Sequence, residues 1–141
     1  MTPREFDRVS VGDELPPLSL PITVQQIAGG AIATRDYFPG HHDAQAAREL
    51  GSPHIFMNIL TTNGLVQRFV GAWAGPEARV RKIRIKLGAP NFAGDTMRIN
   101  GTVSRVDSAA GEVDVTVSGR NAIGEHVGAT VTLHFPERNA A

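Results

Sequence analysis

The chain has no cysteine among its 141 residues, which excludes both a disulfide framework and a thiolate metal site. It also lacks a charge imbalance. Fourteen basic residues face fourteen acidic ones for a formal net charge of zero, whereas a nucleic-acid footprint needs a basic excess or stripe. The one basic cluster, Arg79 to Lys86, alternates with apolar residues. It reads as the wet face of a strand, with a phosphate site as the alternative. No apolar run approaches membrane-spanning length, and the opening MTPREFDRVSVGDELPP has no apolar signal-peptide core. The expectation is a soluble cytoplasmic protein without membrane or nucleic-acid partners. Its length suits one domain, residues 1–141, large enough to bury a core without staples.

What is present is a clear change of pattern along the chain. Residues 1–17 are polar and turn-rich and are expected on the surface. Leu18, Leu20 and Ile22 alternate as a short strand, and Pro21 within it points to a sheet edge. Thr23-Val24-Gln25-Gln26 has capping-box spacing and opens a helix over 24–34 with Val24, Ile27, Ala28 and Ala31 on one face. Gly29-Gly30 inside that helix suggests a close packing contact, with a flexible gate as the alternative. Asp43 caps a short helix, Ala44 to Leu50, closed by Gly51. From Asn58 a long apolar helix carries Ile59, Leu60, Leu65, Val66, Phe69, Val70 and Trp73 until Gly75-Pro76 ends it. Everything beyond reads as four strands in meander-like succession: Val80 to Leu87, Met97 to Val103, Val113 to Val117 and Val127 to Leu133. An antiparallel sheet and one apolar helix have only each other to bury against. The fold class is therefore α+β, with a curled antiparallel sheet wrapped around one long central helix, the hotdog fold.

The chemistry concentrates in Arg35-Asp36-Tyr37-Phe38-Pro39-Gly40-His41-His42-Asp43. Pro39 disfavours helix at Phe38 and Gly40 permits a bend, so the loop can fold Asp36 and His41 back to one point. A carboxylate and an imidazole there can share a water, which is what general acid–base chemistry requires. Such residues in a Pro/Gly loop are also commonly solvated or used as caps. His42 reads as a loop residue, since His42 and Asp43 with His41 fall short of a convincing metal set and no metal is expected. His54 and Asn63 read as cap and core-polar residues, with pocket lining as the alternative. Arg120 and Asn121 read as a turn or a site rim, and Trp73 as core or interface.

On these residues the chain resembles the MaoC-like, (R)-specific enoyl-CoA hydratases. Their motif runs Asp-x-Asn-Pro-Leu-His, five residues, then a small residue. Asp36, Pro39, His41 and Ala47 match it in spacing, while Phe38 and Gly40 stand where the motif has Asn and Leu. A second family segment, Ile-Ala-His-Gly-Met, corresponds to Ile55-Phe56-Met57-Asn58-Ile59. The stretches ATRD with HHD, then IFMNILTTNGLVQRFV with WAGP, then GRNAIGEHVGATVTL, resemble more particularly the small subunits of actinobacterial steroid side-chain enoyl-CoA hydratases of cholesterol catabolism.

The resemblance implies hydration of a 2-enoyl-CoA thioester with Asp36 and His41 as the catalytic pair. It implies the Asn58 backbone amide as oxyanion donor, and Ile59 and Phe38 as further substrate contacts. It also implies no cofactor beyond the CoA of the substrate. The expected assembly is a heterotetramer with a sister hotdog subunit, or a homodimer, in which two chains shape the cavity and cover open sheet edges. Two other readings are a silent subunit that completes a partner's acyl-CoA site, and a hotdog acyl-CoA thioesterase.

Overall fold

A computed structural model describes residues 5–136. After a 3-10 turn at Phe6–Arg8 come β1 (Glu14–Pro21), α1 (Val24–Ala33), a 3-10 turn at Pro39–His41, α2 (Ala44–Glu49) and α3 (Ile59–Ala74). Four strands follow: β2 (Arg79–Leu87), β3 (Thr96–Asp107), β4 (Glu112–Arg120) and β5 (Glu125–His134). All pairings are antiparallel, in one sheet of order β1-β3-β4-β5-β2.

The alternation in the last three strands decides which side of the sheet is covered. Met97, Ile99 and Val103 of β3, Val113, Val115 and Val117 of β4, and Val127, Val131 and Leu133 of β5 are all buried. Against this face α3 lays Thr62, Leu65, Val66, Phe69, Val70 and Ala74. At sixteen residues it is roughly 24 Å long. The curled sheet around one helix is the hotdog arrangement expected from the strand and helix pattern.

Four details differ from the sequence expectation. The strands after α3 are not one meander, because β2 pairs with β5 at the far edge and only β3, β4 and β5 follow one another. Alternation reports faces, not neighbours. Gly88 and Ala89 prolong the β2–β5 ladder by donating to His126 O and Glu125 O. The chain then leaves through Pro90 and reaches β3 by way of the bridge between Phe92 and Phe56.

The first strand begins at Glu14, not Leu18, so the chain before Leu18 is not all surface. Val9 and Leu15 are buried. Pro16 and Pro17 fall at the register shift between Leu15 and Leu18, and an edge strand tolerates prolines because one row of its amides has no ladder partner.

Ile59 and Leu60, read as part of the buried helix, are 48% and 49% exposed, and Val24 is 50% exposed. The first turn of α3 meets the sheet only through Thr62, and its Ile59 and Leu60 face away, beside the loop that carries Asp36. The Gly29-Gly30 pair acts unequally. A Cβ on Gly30 would run into Thr61 of α3, whereas one on Gly29 would meet nothing. Gly30 is thus the close α1–α3 contact.

Candidate active site

Asp36 is placed by the way α1 ends. The amide of Arg35 donates to Ile32 O at 3.0 Å and that of Asp36 to Ala31 O at 2.9 Å, the two bonds of a Schellman cap. Arg35 occupies the cap's left-handed position with φ 56°, where glycine is usual. The reversal points Asp36 back toward the head of α3.

His41 arrives from the other side. Pro39 opens the 3-10 turn that carries it, and Gly40 lies between two aromatic rings. A Cβ there would stand 2.8 Å from Phe38 Cε1 and 2.9 Å from Phe56 Cε1. The imidazole is 7% exposed and meets both rings edge-on, at centroid distances of 5.3 Å to Phe38 and 4.9 Å to Phe56. Its Nδ1 lies 2.7 Å from Phe56 O. A carbonyl only accepts, so Nδ1 carries the proton, and in the neutral ring Nε2 holds the lone pair. Nε2 sits 3.4 Å from Asp36 Oδ2.

Two acceptors face each other across that gap when His41 is neutral, and a water can donate one hydrogen to each. With a second proton on His41, Nε2–H points at the carboxylate as an ion pair. The pair therefore has an empty and a loaded form, which is the requirement for taking a proton from water and giving one back.

The Asn58 side chain donates to Asp36 Oδ2 at 3.0 Å. It holds the Asp36 carboxyl below the usual carboxylate range. Desolvation opposes this, and the Phe38 amide and His41 assist. Sequence reasoning missed this contact. It assigned Asn58 only a backbone amide, and nothing in a linear sequence links position 58 to position 36.

Asn58 is the N-cap of α3, its Oδ1 accepting from Thr61 N. Its carbonyl takes Thr62 N, while the amides of Asn58, Ile59 and Leu60 reach no acceptor among the described residues. The first amides of a helix suit a developing anion.

The remaining candidates resolve into local roles. His42 Nε2 donates to Tyr37 O, and Asp43 caps α2 through Gln45 N and Ala46 N. His54 Nδ1 accepts the amide of Ile55. Asn121 belongs to a turn, donating to Pro90 O and Asn91 Oδ1 and accepting from Ile123 N and Gly124 N. Trp73 is half-buried against the core.

The site is open on one side. Phe38 and Ile59 stand at that opening, 45% and 48% exposed, with Ile32, Tyr37 and Leu60 also exposed nearby. Cavities of about 570, 480 and 560 Å³ lie elsewhere on the chain, and none is lined by Asp36 or His41.

Comparison with known proteins places the chain in a family. The family model described as MaoC like domain matches residues 9–124. The 3-oxo-4,17-pregnadiene-20-carboxyl-CoA hydratase beta subunit of Mycobacterium tuberculosis is 47% identical over 123 residues, covering 87% of this chain and 94% of that protein. A chain of the ChsH1-ChsH2 complex from Mycobacterium tuberculosis superposes with a TM-score of 0.87 at 46% identity, covering 90% of this chain and 98% of that one. An (R)-hydratase from A. caviae involved in PHA biosynthesis has a TM-score of 0.84 at 18% identity, covering 92% and 98%, and so shares the fold. Between the family match over most of the chain and an acid–imidazole pair at the motif's own positions, this chain belongs to the MaoC-like domain family.

Proposed function

We propose that this protein is an enoyl-CoA hydratase that adds water to the 2,3 double bond of a steroid side-chain enoyl-CoA, as the site-bearing subunit of a hotdog hetero-assembly. The observation that carries the reading is the 3.4 Å approach of His41 Nε2 to Asp36 Oδ2, with His41 Nδ1 anchored on Phe56 O. A water on the open side bridges the two acceptors, donating one hydrogen to each. Its oxygen bonds to the β-carbon as its proton passes to the pair, and the π electrons move onto the thioester oxygen. The backbone amides of Asn58 and Ile59 at the head of α3 receive that charge. Such donors are worth roughly 3–4 kcal/mol each where measured. The proton then returns to the α-carbon and the thioester re-forms.

Phe38 and Ile59 border the acyl group. Only a proton and a hydroxide are exchanged, so the chemistry calls for no redox group or metal, and CoA enters as part of the substrate. The substrate and the assembly follow the relatives, one a hydratase subunit for a steroid-derived CoA thioester and one solved as a two-protein complex. The exposed apolar rim of the half-open site fits a partner that closes it. We further propose one domain over residues 1–141, acting in the cytoplasm. No helix among the described residues is long and apolar enough to cross a membrane.

The test is hydration of steroid side-chain 2-enoyl-CoA against crotonyl-CoA by the assembled protein, with Asp36→Asn and His41→Ala alongside. Activity on the bulky thioester that both substitutions sharply reduce is expected. Unchanged rates in both variants would mean a silent subunit, and release of free CoA thiol a thioesterase. Rapid turnover of crotonyl-CoA with none of the steroid thioester would overturn the substrate assignment.

A further inference from the structure

We propose that Asn58 is a positioning residue whose carboxamide ties the Asp36 carboxylate to the head of α3, leaving His41 Nε2 as the atom that takes the water's proton and returns it to the α-carbon. This rests on the hydration reading and goes beyond it by dividing labour within the pair.

The orientation of the Asn58 amide is set by its neighbours. Asn58 is 2% exposed. Only an oxygen can accept from the Thr61 amide, at 2.9 Å, so the NH₂ must face the other way. There it meets Thr34 Oγ1 at 2.9 Å and Asp36 Oδ2 at 3.0 Å. The Thr34 hydroxyl spends its own hydrogen on Gly30 O at 2.8 Å and is therefore an acceptor toward Asn58. Both Nδ2 hydrogens are thus assigned, one to the end of α1 and one to the carboxylate. One buried side chain joins the last turn of α1, the Asp36 turn and the first turn of α3.

The consequence lies in what each member of the pair has left to offer. Asp36 receives Asn58 Nδ2 on Oδ2 and the Phe38 amide on Oδ1 at 3.4 Å. Donors to a carboxylate stabilise its charged form. Asp36 stays an anion that orients the water and stabilises an imidazolium beside it. His41 has its Nδ1 hydrogen committed to Phe56 O, which leaves the Nε2 lone pair facing the water. The proton goes from water to Nε2 as oxygen bonds the β-carbon and electrons reach the thioester oxygen. It then goes from Nε2 to the α-carbon as those electrons return. His41 ends with its starting tautomer. No other titratable side chain bonds Asp36 among the described residues. His42 is turned to Tyr37 O and Asp43 to the α2 amides.

The test uses Asn58→Ser and Asn58→Thr in the assembled protein. Both keep a capping oxygen for Thr61 and remove the carboxamide donor to Asp36 without adding a charge beside it. The Asp36 carboxyl is followed by carbon NMR in aspartate-labelled protein without substrate, and kcat and KM are followed against pH. We expect the Asp36 titration to move to higher pH. We also expect kcat to fall about 10- to 100-fold with little change in KM, while the melting temperature falls with the loss of the bonds to Thr34 and Asp36. His41→Gln should lose more activity than Asp36→Asn. An unmoved Asp36 titration in a folded Asn58 variant would reduce Asn58 to a helix cap. The reverse order of loss between His41→Gln and Asp36→Asn would move the proton to Asp36. Should the assembly hydrate no enoyl thioester, the functional reading fails, and the NMR titration still decides the tie between Asn58 and Asp36.

Discussion

His41 and His126 are both buried, 7% and 2% exposed, and both hold a proton on Nδ1 by donating to a backbone carbonyl. His41 gives to Phe56 O at 2.7 Å and His126 to Ala89 O at 2.6 Å. They differ in what the second nitrogen meets. His126 Nε2 lies 2.8 Å from Thr62 Oγ1 of α3 and accepts its hydrogen, so every polar atom of the ring is satisfied within the protein. Burial pushes its pKa below the ordinary 6.5, the Ala89 carbonyl opposing, and the ring braces β5 against the first turn of α3. His41 Nε2 meets a carboxylate across a gap on the open side of the chain. A histidine becomes usable for chemistry when the fold leaves one nitrogen facing a reactant; with both nitrogens occupied it is structure.

Replacing each ring separates the two roles most sharply. His41→Ala should lower hydration by about 10²–10⁴-fold while the melting temperature hardly moves, as read by CoA-thioester assay and calorimetry. Retention of activity would erase the distinction.

His126→Ala should do the opposite. It strands the Ala89 carbonyl, leaves the Thr62 hydroxyl only the Asn58 carbonyl at 3.3 Å, and opens a cavity, costing about 2–4 kcal/mol in denaturant unfolding. The pH dependence tests the same point. The unfolded chain protonates His126 near 6.5, and the native ring resists until lower pH. This site's stability contribution is therefore complete above pH 6.5, declines as pH falls below it, and levels off once the native ring also protonates. His126→Ala should remove that acid-side decline.

Gly40→Ala is expected to act on the His41 side alone. The added Cβ would press on the Phe38 and Phe56 rings, costing about 1–2 kcal/mol and disturbing the Phe56 carbonyl that sets the His41 tautomer. Arg35→Gly should give the smallest effect and the opposite sign. It relieves a left-handed arginine and raises stability by about 1 kcal/mol, with Asp36 kept in place by its bond to Ala31 O.

Much of the architecture was legible before any coordinates. Period-two valines in β4 and β5 marked a sheet with one covered face, and Thr23, Asp43 and Gly75 marked helix ends that the structure retains. Asp36 and His41 were recognisable because the chemistry and the Pro39-Gly40 bend lie within one short segment. The pairing of β2 with β5 was not legible, because alternation carries no partner identity. The exposure of Ile59 and Leu60 was not legible either, because a helix written as apolar does not say which turn a sheet will cover. The Schellman cap at Arg35 escaped notice for want of the glycine that usually signals it.

Residue order by itself determined most of the elements, the inward faces of the later strands and the candidate pair Asp36 and His41, since these depend on side-chain type and on spacing along the chain. Only the tertiary structure decided that Asn58 grips Asp36, that His126 is locked on Thr62, and that the site opens onto an apolar rim. The physical reason is distance in sequence. A hydrogen bond acts over about 3 Å, and the residues it joins here lie in separate elements that meet only when α3 is packed beneath the sheet.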